Sequence, residues 1–244
     1  MTMIGCFLFS FNSGYINSVG SATVNGIGMG GTTGSTCNLG LNAAEENSED
    51  FARIFTIVAA YTFGSFLSGL LTPSEVFSIR INYIPVLLME IVILLIACEL
   101  EIHFPDDKYL FFTFASMSLG CQSGMISLYS GNVIRTTAMT AATTDVMLLV
   151  GRWVRGDTKD LWKNLINMPL LIGFFLGATT GKAAYDVWGR FSLIFNVVFF
   201  SCVTLTYIIW VKLTYNPQRL TDFMRSTHLE VSHSSVNKSS SINI

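Results

Sequence analysis

Apolar residues run in long blocks along this chain, separated by short polar stretches. Blocks of about 20 residues, the length that crosses roughly 30 Å of hydrocarbon at 1.5 Å per residue, fall at 3–25, 51–71, 81–98, 109–129, 164–185 and 189–213. Each predicts a membrane-spanning helix. Two further segments have a different character: 26–44 carries Gly26, Gly28, Gly30, Gly31, Gly34 and Gly40, and 130–151 carries five threonines. A helix over 33–44 would cover only about 18 Å, and glycines upstream weaken a continuous one. Both segments are therefore expected to be re-entrant or broken. Beyond 213, Pro217 and the serines Ser234, Ser235, Ser239, Ser240 and Ser241 leave too little apolar surface to offset ordering entropy. That predicts a disordered tail over 214–244.

The blocks repeat. Gly14 aligns with Gly120, 33–38 with 140–145, 64–68 with 173–177, and Arg80 opens the third block as Arg190 opens the sixth, at offsets of 106, 107, 109 and 110. An odd number of crossings per half turns the second half upside down, the arrangement of many secondary transporters, in which broken helices of the two halves meet at the midplane. The predicted fold is an all-α membrane protein of six transmembrane helices. They form two inverted three-helix repeats, 1–104 and 105–213, with re-entrant segments after the first and fourth spans.

Composition supports the bilayer assignment. Of 244 residues, 51% are apolar and only 12% charged, about half the charged share of a soluble domain, and mean hydropathy is +0.53. A net charge of −2 excludes a strongly basic nucleic-acid binder. The first block has no basic stretch before it and no small-residue cleavage site after it, so a retained helix is expected rather than a signal peptide. With both termini cytoplasmic, Arg80, Arg135, Arg152, Arg155, Lys159, Lys163, Lys212, Arg219, Arg225 and Lys238 lie inside, against Arg53, Lys108, Lys182 and Arg190 outside. That bias fits a multi-pass plasma-membrane protein. Eight crossings would give the same ten against four, so charge does not separate the two topologies. Trp153, Trp162, Trp188, Tyr207 and Trp210 sit near block ends, where amphipathic rings settle at the headgroups.

At these positions the chain resembles the YoaK-like family of transmembrane proteins, a family known as a domain of unknown function. The pattern is carried by Gly14-Tyr15-Ile16-Asn17, with Asn where Asp is usual, and by Thr33-Gly34-Ser35, with Ser for Asn. It continues through Gly120-Cys121-Gln122 and the run from Arg135 to Asp145, with Ala141 for Gly. The resemblance covers about 5–213 and implies a multi-span membrane protein without assigning it an activity.

The densest chemistry lies in the threonine segment. If it is helical, positions 136, 140 and 143 share a face, so Thr136, Thr140 and Thr143 with Arg135 could line a substrate site together with Thr33, Ser35 and Thr36 of the first half, where free helix N-termini suit an anion. Alternatively the hydroxyls bond across helices or back to the preceding turn, and Arg135 is a cytoplasmic anchor. Asp145 is a candidate ion-coupling site, or else pairs with Arg152 or Lys182. Glu90, nine residues into its block, is a second candidate coupling site, because an intramembrane carboxyl is costly, or else a structural residue. Gly173, Gly177 and Gly181, matched by Ala60, Gly64 and Ser68, predict close packing of the second and fifth spans on each other, and the same face could serve a homodimer.

Enzyme chemistry is not expected. His103, His228 and His233 lie outside the spans, the five cysteines form no CxxC pair, and no HExxH, P-loop or dinucleotide fingerprint occurs. No metal or cofactor is expected. The sequence thus predicts a small secondary transporter of a small polar or anionic solute; the alternative is a non-transporting membrane scaffold or regulatory subunit.

Overall fold

The computed structural model describes residues 2–23, 28–72, 81–104, 106–132 and 134–214. Residues 215–244 of the predicted tail, Gly26 and Arg80 lie outside the described residues, and Thr214 ends the last helix. Within them the chain is helical, with no strand: α1 (Thr2–Thr23), α2 (Thr32–Ala44), α3 (Ser48–Leu71), α4 (Ile84–His103), α5 (Lys108–Tyr129), α6 (Met139–Val154), α7 (Asn164–Trp188) and α8 (Ser192–Thr214). Residues Met1–Thr204 form one compact unit and Leu205–Ile244 a second.

Local chemistry sets the boundaries. Asn47 accepts from the backbone N–H of Asp50 at 3.3 Å and caps α3. Glu49 and Asp50 stand in its first turn, where the helix dipole favours acids. Pro85 opens α4, where its missing N–H costs nothing. Gly189, at φ 55° and ψ −127°, takes a backbone conformation that L side chains rarely adopt, and so separates α7 from α8.

Three segments are long and apolar enough to cross a membrane: Ser48–Leu71, Ile81–His103 and Leu161–Lys212. The last has 52 residues, which as one helix would extend about 78 Å; Gly189 folds it into α7 and α8. Large apolar side chains of these segments point outward, among them Phe63, Phe66, Val92, Phe175 and Val198. In water such a surface would be a liability; against lipid it is the required one. This is a membrane protein. The helices α1 and α5, with 22 residues each, are as long but more polar, because they are the inner ones. They bury Ser10, Asn12, Ser13 and Asn17, and Ser116, Ser118, Gln122 and Ser123, respectively.

The inner helices each meet an outer helix of the other half. α1 packs along α7 and α5 along α3, while α2 lies on α3 and α6 on α7. Glycines make the approach possible. A Cβ at Gly14 would overlap the Phe174 carbonyl oxygen, and one at Gly177 that of Phe11. Likewise a Cβ at Gly64 would overlap the Met117 carbonyl and one at Gly120 that of Tyr61. Gly173 and Gly181 face the Phe7 and Tyr15 carbonyls on the same α1 surface. Serine hydroxyls clip the crossings: Ser10 Oγ donates to Leu170 O at 2.7 Å and Ser65 Oγ to Gly120 O at 3.0 Å. The small-residue stripes therefore lie at helix crossings, against partners other than the expected ones. The stripes of α3 and α7 face α5 and α1, not each other, because the inner helices carry matching glycines that let backbone meet backbone.

Candidate functional site

Polar groups buried between these helices form one network. Glu90 of α4 is fully buried, and its Oε1 accepts from Asn12 Nδ2 at 3.2 Å. The same Asn12 amide donates to Gln122 Oε1 of α5 at 2.6 Å, and its Oδ1 accepts from Asn196 Nδ2 of α8 at 2.8 Å. Gln122 Nε2 donates in turn to Phe9 O at 2.6 Å and to Ser13 Oγ at 3.0 Å. Four helices drawn from both halves thus converge on Asn12. Glu90 Oε2 has no hydrogen-bond partner, and no Lys, Arg or His pairs with this carboxyl among the described residues. An ionised carboxylate sealed away without a cation would cost far more than the neutral acid.

A second cluster lies at the next turn of the inner helices, where the two irregular linkers enter. Asn17 Oδ1 accepts from the Gly30 N–H at 2.7 Å while its Nδ2 donates to Ser13 O at 2.8 Å. Ser116 Oγ donates to Met29 O at 2.9 Å. In the other half Thr137 Oγ1 lies 3.3 Å from Ser123 Oγ and 2.9 Å from Tyr61 Oη. The two linkers touch: a Cβ at Gly30 would stand 3.1 Å from Thr137 Cγ2. Asn17 and Ser123 each precede the end of their helix by six residues, about 9 Å. The described linker residues Met29, Gly30 and Thr137 therefore lie against the inner helices, where protein groups satisfy unwound backbone. Asn17→Ala would strand the Gly30 N–H, and we expect a loss of about 1–3 kcal/mol, whereas Asn17→Asp keeps an acceptor and most of the stability; thermal unfolding in detergent measures both. Equal melting of Asn17→Ala and the unmodified protein would contradict the contact.

The residues singled out from sequence divide sharply. Glu90 lies in the core. Thr136 is also fully buried, with Oγ1 unpartnered among the described residues. Arg135, Thr140 and Thr143 are exposed, and Thr143 Oγ1 bonds back to Met139 O at 2.9 Å, the local alternative. Thr136 shares no helical face with them, because α6 begins only at Met139; the periodicity was extended across a linker. On α2, Ser35 is buried, whereas Thr33 and Thr36 are exposed and Thr36 Oγ1 bonds back to Thr32 O. α2 rests on α3 and α6 on α7, so the two threonine segments do not meet through these helices. Only the linkers in front of them do.

Asp145 lies exposed on α6, whose buried face is Ala142, Val146 and Leu149. Its proposed cations are engaged elsewhere: Arg152 pairs with Asp160 at 3.4 Å, and Lys182 with Asp186. Asp145→Asn is therefore expected to change stability by less than about 0.5 kcal/mol and to leave any flux intact; a large loss of either would return Asp145 to the bundle.

Asn12, Ser13, Gln122 and Asn196 carry the network, and sequence reasoning assigned them no role. Their signal was present: an amide in the middle of an apolar block is costly unless bonded. A shallow cleft of about 520 Å³ lies away from this region, at the N-terminal ends of α3 and α5, lined by Arg53, Thr56, Asp106, Asp107, Lys108 and Tyr109. Among the described residues no three His, Cys, Asp or Glu side chains gather as a metal site.

Comparison with curated proteins and with solved structures returns no match. Residues 5–206 match the sequence model of a family described as protein of unknown function (DUF1275). That span covers α5, all but the first three residues of α1, both linkers and every member of the Glu90 network, and it agrees with the resemblance drawn from the Arg135 to Asp145 motif. The chain belongs to this family of unknown function.

Proposed function

We propose that this chain is a small secondary transporter of a small polar solute, driven by proton exchange at Glu90. One observation carries the reading: a carboxyl sealed at the centre of the bundle, without a cation, at the junction of α1, α4, α5 and α8. A static support gains nothing from such a group, since apolar residues of similar volume generally pack as well or better. Movement of the helices that meet at Asn12 would make or break the hydrogen bond to Glu90 Oε1 and so tie protonation to conformation. The solute carries no negative charge in this account, because no Lys, Arg or His is buried among the described residues to hold an anion; of the small polar or anionic solute expected from sequence, the polar one is kept.

The symmetry of the packing supports two inverted repeats. Exchanging the halves exchanges the α1 and α7 contact with that of α5 and α3, and the α2 and α3 contact with that of α6 and α7. In this correspondence Gly64 answers to Gly177, since each faces a carbonyl of an inner helix, Met117 or Phe11. Six spans, re-entrant α2 and α6 with their linkers, and cytoplasmic termini complete the topology. Single cysteines replacing Asn47, Pro105 and Asp157, in a background lacking the exposed Cys37 and Cys202, test it: the first two are expected to label from outside and the third only after permeabilisation. Labelling of position 47 from the cytoplasm alone would favour eight crossings.

Transport itself is tested by uptake into proteoliposomes under an imposed pH difference, with a panel of labelled amino acids, polyamines, polyols and nucleosides. Proton-dependent accumulation of one class supports the proposal. A second reading, a scaffold without transport, is favoured by the backbone-to-backbone packing at α1 with α7 and α3 with α5, which leaves those helices little room to slide; a folded protein inert to every class would decide for it.

A further inference from the structure

A second carboxyl lies on the same buried face of α4. Glu90, Leu94, Ala97 and Glu101 follow one another at helical spacing, and all four are buried. Glu101 sits about 16 Å from Glu90 along the helix, near the end of α4, with 5% of its surface exposed. Neither Glu101 oxygen has a hydrogen-bond partner among the described residues, and nor does the buried Ser192 Oγ. Buried oxygens left without a protein partner are where water binds.

Between the two acids the facing helices present a polar ladder through an otherwise apolar core. Tyr15 of α1 donates to Ser192 O of α8 at 2.8 Å. One turn further in, Asn196 of α8 donates to Asn12 of α1 at 2.8 Å, and Asn12 donates to Glu90. The groups within electrostatic reach of Glu101 are Tyr15 on α1, Cys98 on α4 and Arg190 on the turn between α7 and α8. The Arg190 guanidinium reaches the end of α4, where Nη1 lies 3.5 Å from Ile102 O.

We infer that Glu101 is the entry carboxyl of a proton path to Glu90, which runs along the rungs Tyr15 with Ser192 and Asn12 with Asn196. The inference rests on the proton-coupled reading above. One proton moves once Glu90 has released its own: an O–H bond at Glu101 breaks, water hydrogen-bonded along the rungs hands the proton on, and an O–H bond forms on the Glu90 carboxylate, so that the negative charge passes from Glu90 to Glu101, where Arg190 faces it until Glu101 is protonated again from solvent. No other atom is transferred.

Infrared spectroscopy of the full chain in phosphatidylcholine vesicles tests this. The C=O band of the protonated Glu90 carboxyl is identified as the one lost in Glu90→Gln, and its shift is followed after the buffer is exchanged for D2O. Glu101→Gln is expected to slow that shift by about 100-fold, the usual contribution of a positioned proton-transfer group, and Tyr15→Phe is expected to slow it as well. The amide II band in the same spectra reports opening of the helices and is expected to exchange as in the unmodified protein. A Glu90 band that shifts at the unmodified rate in both variants overturns the relay while leaving proton coupling at Glu90 standing; absence of any band lost in Glu90→Gln overturns both. If Glu101→Gln does not fold, Tyr15→Phe decides alone.

Discussion

Glu90→Gln is expected to abolish proton-driven flux, by about 100-fold or more, while the bundle stays folded. Gln matches the neutral acid in shape, and its side-chain oxygen still accepts the Asn12 bond, whereas it can neither take up nor release a proton. Glu90→Leu should behave differently. It strands the Asn12 donor, and an unsatisfied buried group costs about 1–3 kcal/mol, so stability falls together with activity. The comparison separates a chemical role from a structural one: thermal unfolding should rank the unmodified protein and Glu90→Gln together and Glu90→Leu below, while uptake should group the two variants as inactive. Retention of pH-dependent uptake by Glu90→Gln would remove this residue from the mechanism.

The second large effect is expected at the helix crossings. Gly64→Leu and Gly177→Leu each place a side chain against a carbonyl of the neighbouring helix, Met117 O or Phe11 O, which no rotamer change on that neighbour can move aside. The helices must part. Overpacking of this kind costs about 1–3 kcal/mol and at times more, and here it also pulls Asn12 and Gln122 out of register with Glu90. Gly69→Ala and Gly151→Ala are the controls: a Cβ at either position meets nothing within 4 Å, and removing glycine from a helix stabilises it by about 0.5–1 kcal/mol. Thermal unfolding and size-exclusion profiles in detergent would show the first pair lost or aggregated and the second unchanged or improved. Normal folding of both leucine variants would mean that the crossings are looser than the structure holds.

Much of the architecture was legible because membrane helices obey a single dominant rule. Long apolar blocks predicted spans at 51–71 and 164–185, and α3 and α7 end close to those limits. Of the segments predicted to be broken, 26–44 and 130–151, only the stretches before α2 and α6 depart from helix among the described residues, while 32–44 and 139–151 are helical. What could not be read was which polar residue points inward. Helical periodicity grouped Thr136 with Thr140 and Thr143, yet a break before Met139 puts Thr136 in the core and the others outside. Asp145 stood as a candidate coupling site or an ion-pair partner, but it lies off the one narrow buried face of α6. Asn12, Gln122 and Asn196 are scattered over 184 positions of separation, and their meeting depends on α1 and α5 being the inner pair, a property of three-dimensional packing. The partner of each glycine stripe was hidden for the same reason.

Charge displacement on a solid-supported membrane tests the central claim most directly. Proteoliposomes containing the full chain are adsorbed, and a jump in solute concentration is applied at fixed pH, with the solute taken from the uptake panel. The account predicts a transient current in the unmodified protein, its sign set by proton entry, and none in Glu90→Gln at equal protein density. Silence of the folded, unmodified protein towards every solute class, or a Glu90→Gln current equal to it, would contradict a proton-driven carrier built around Glu90.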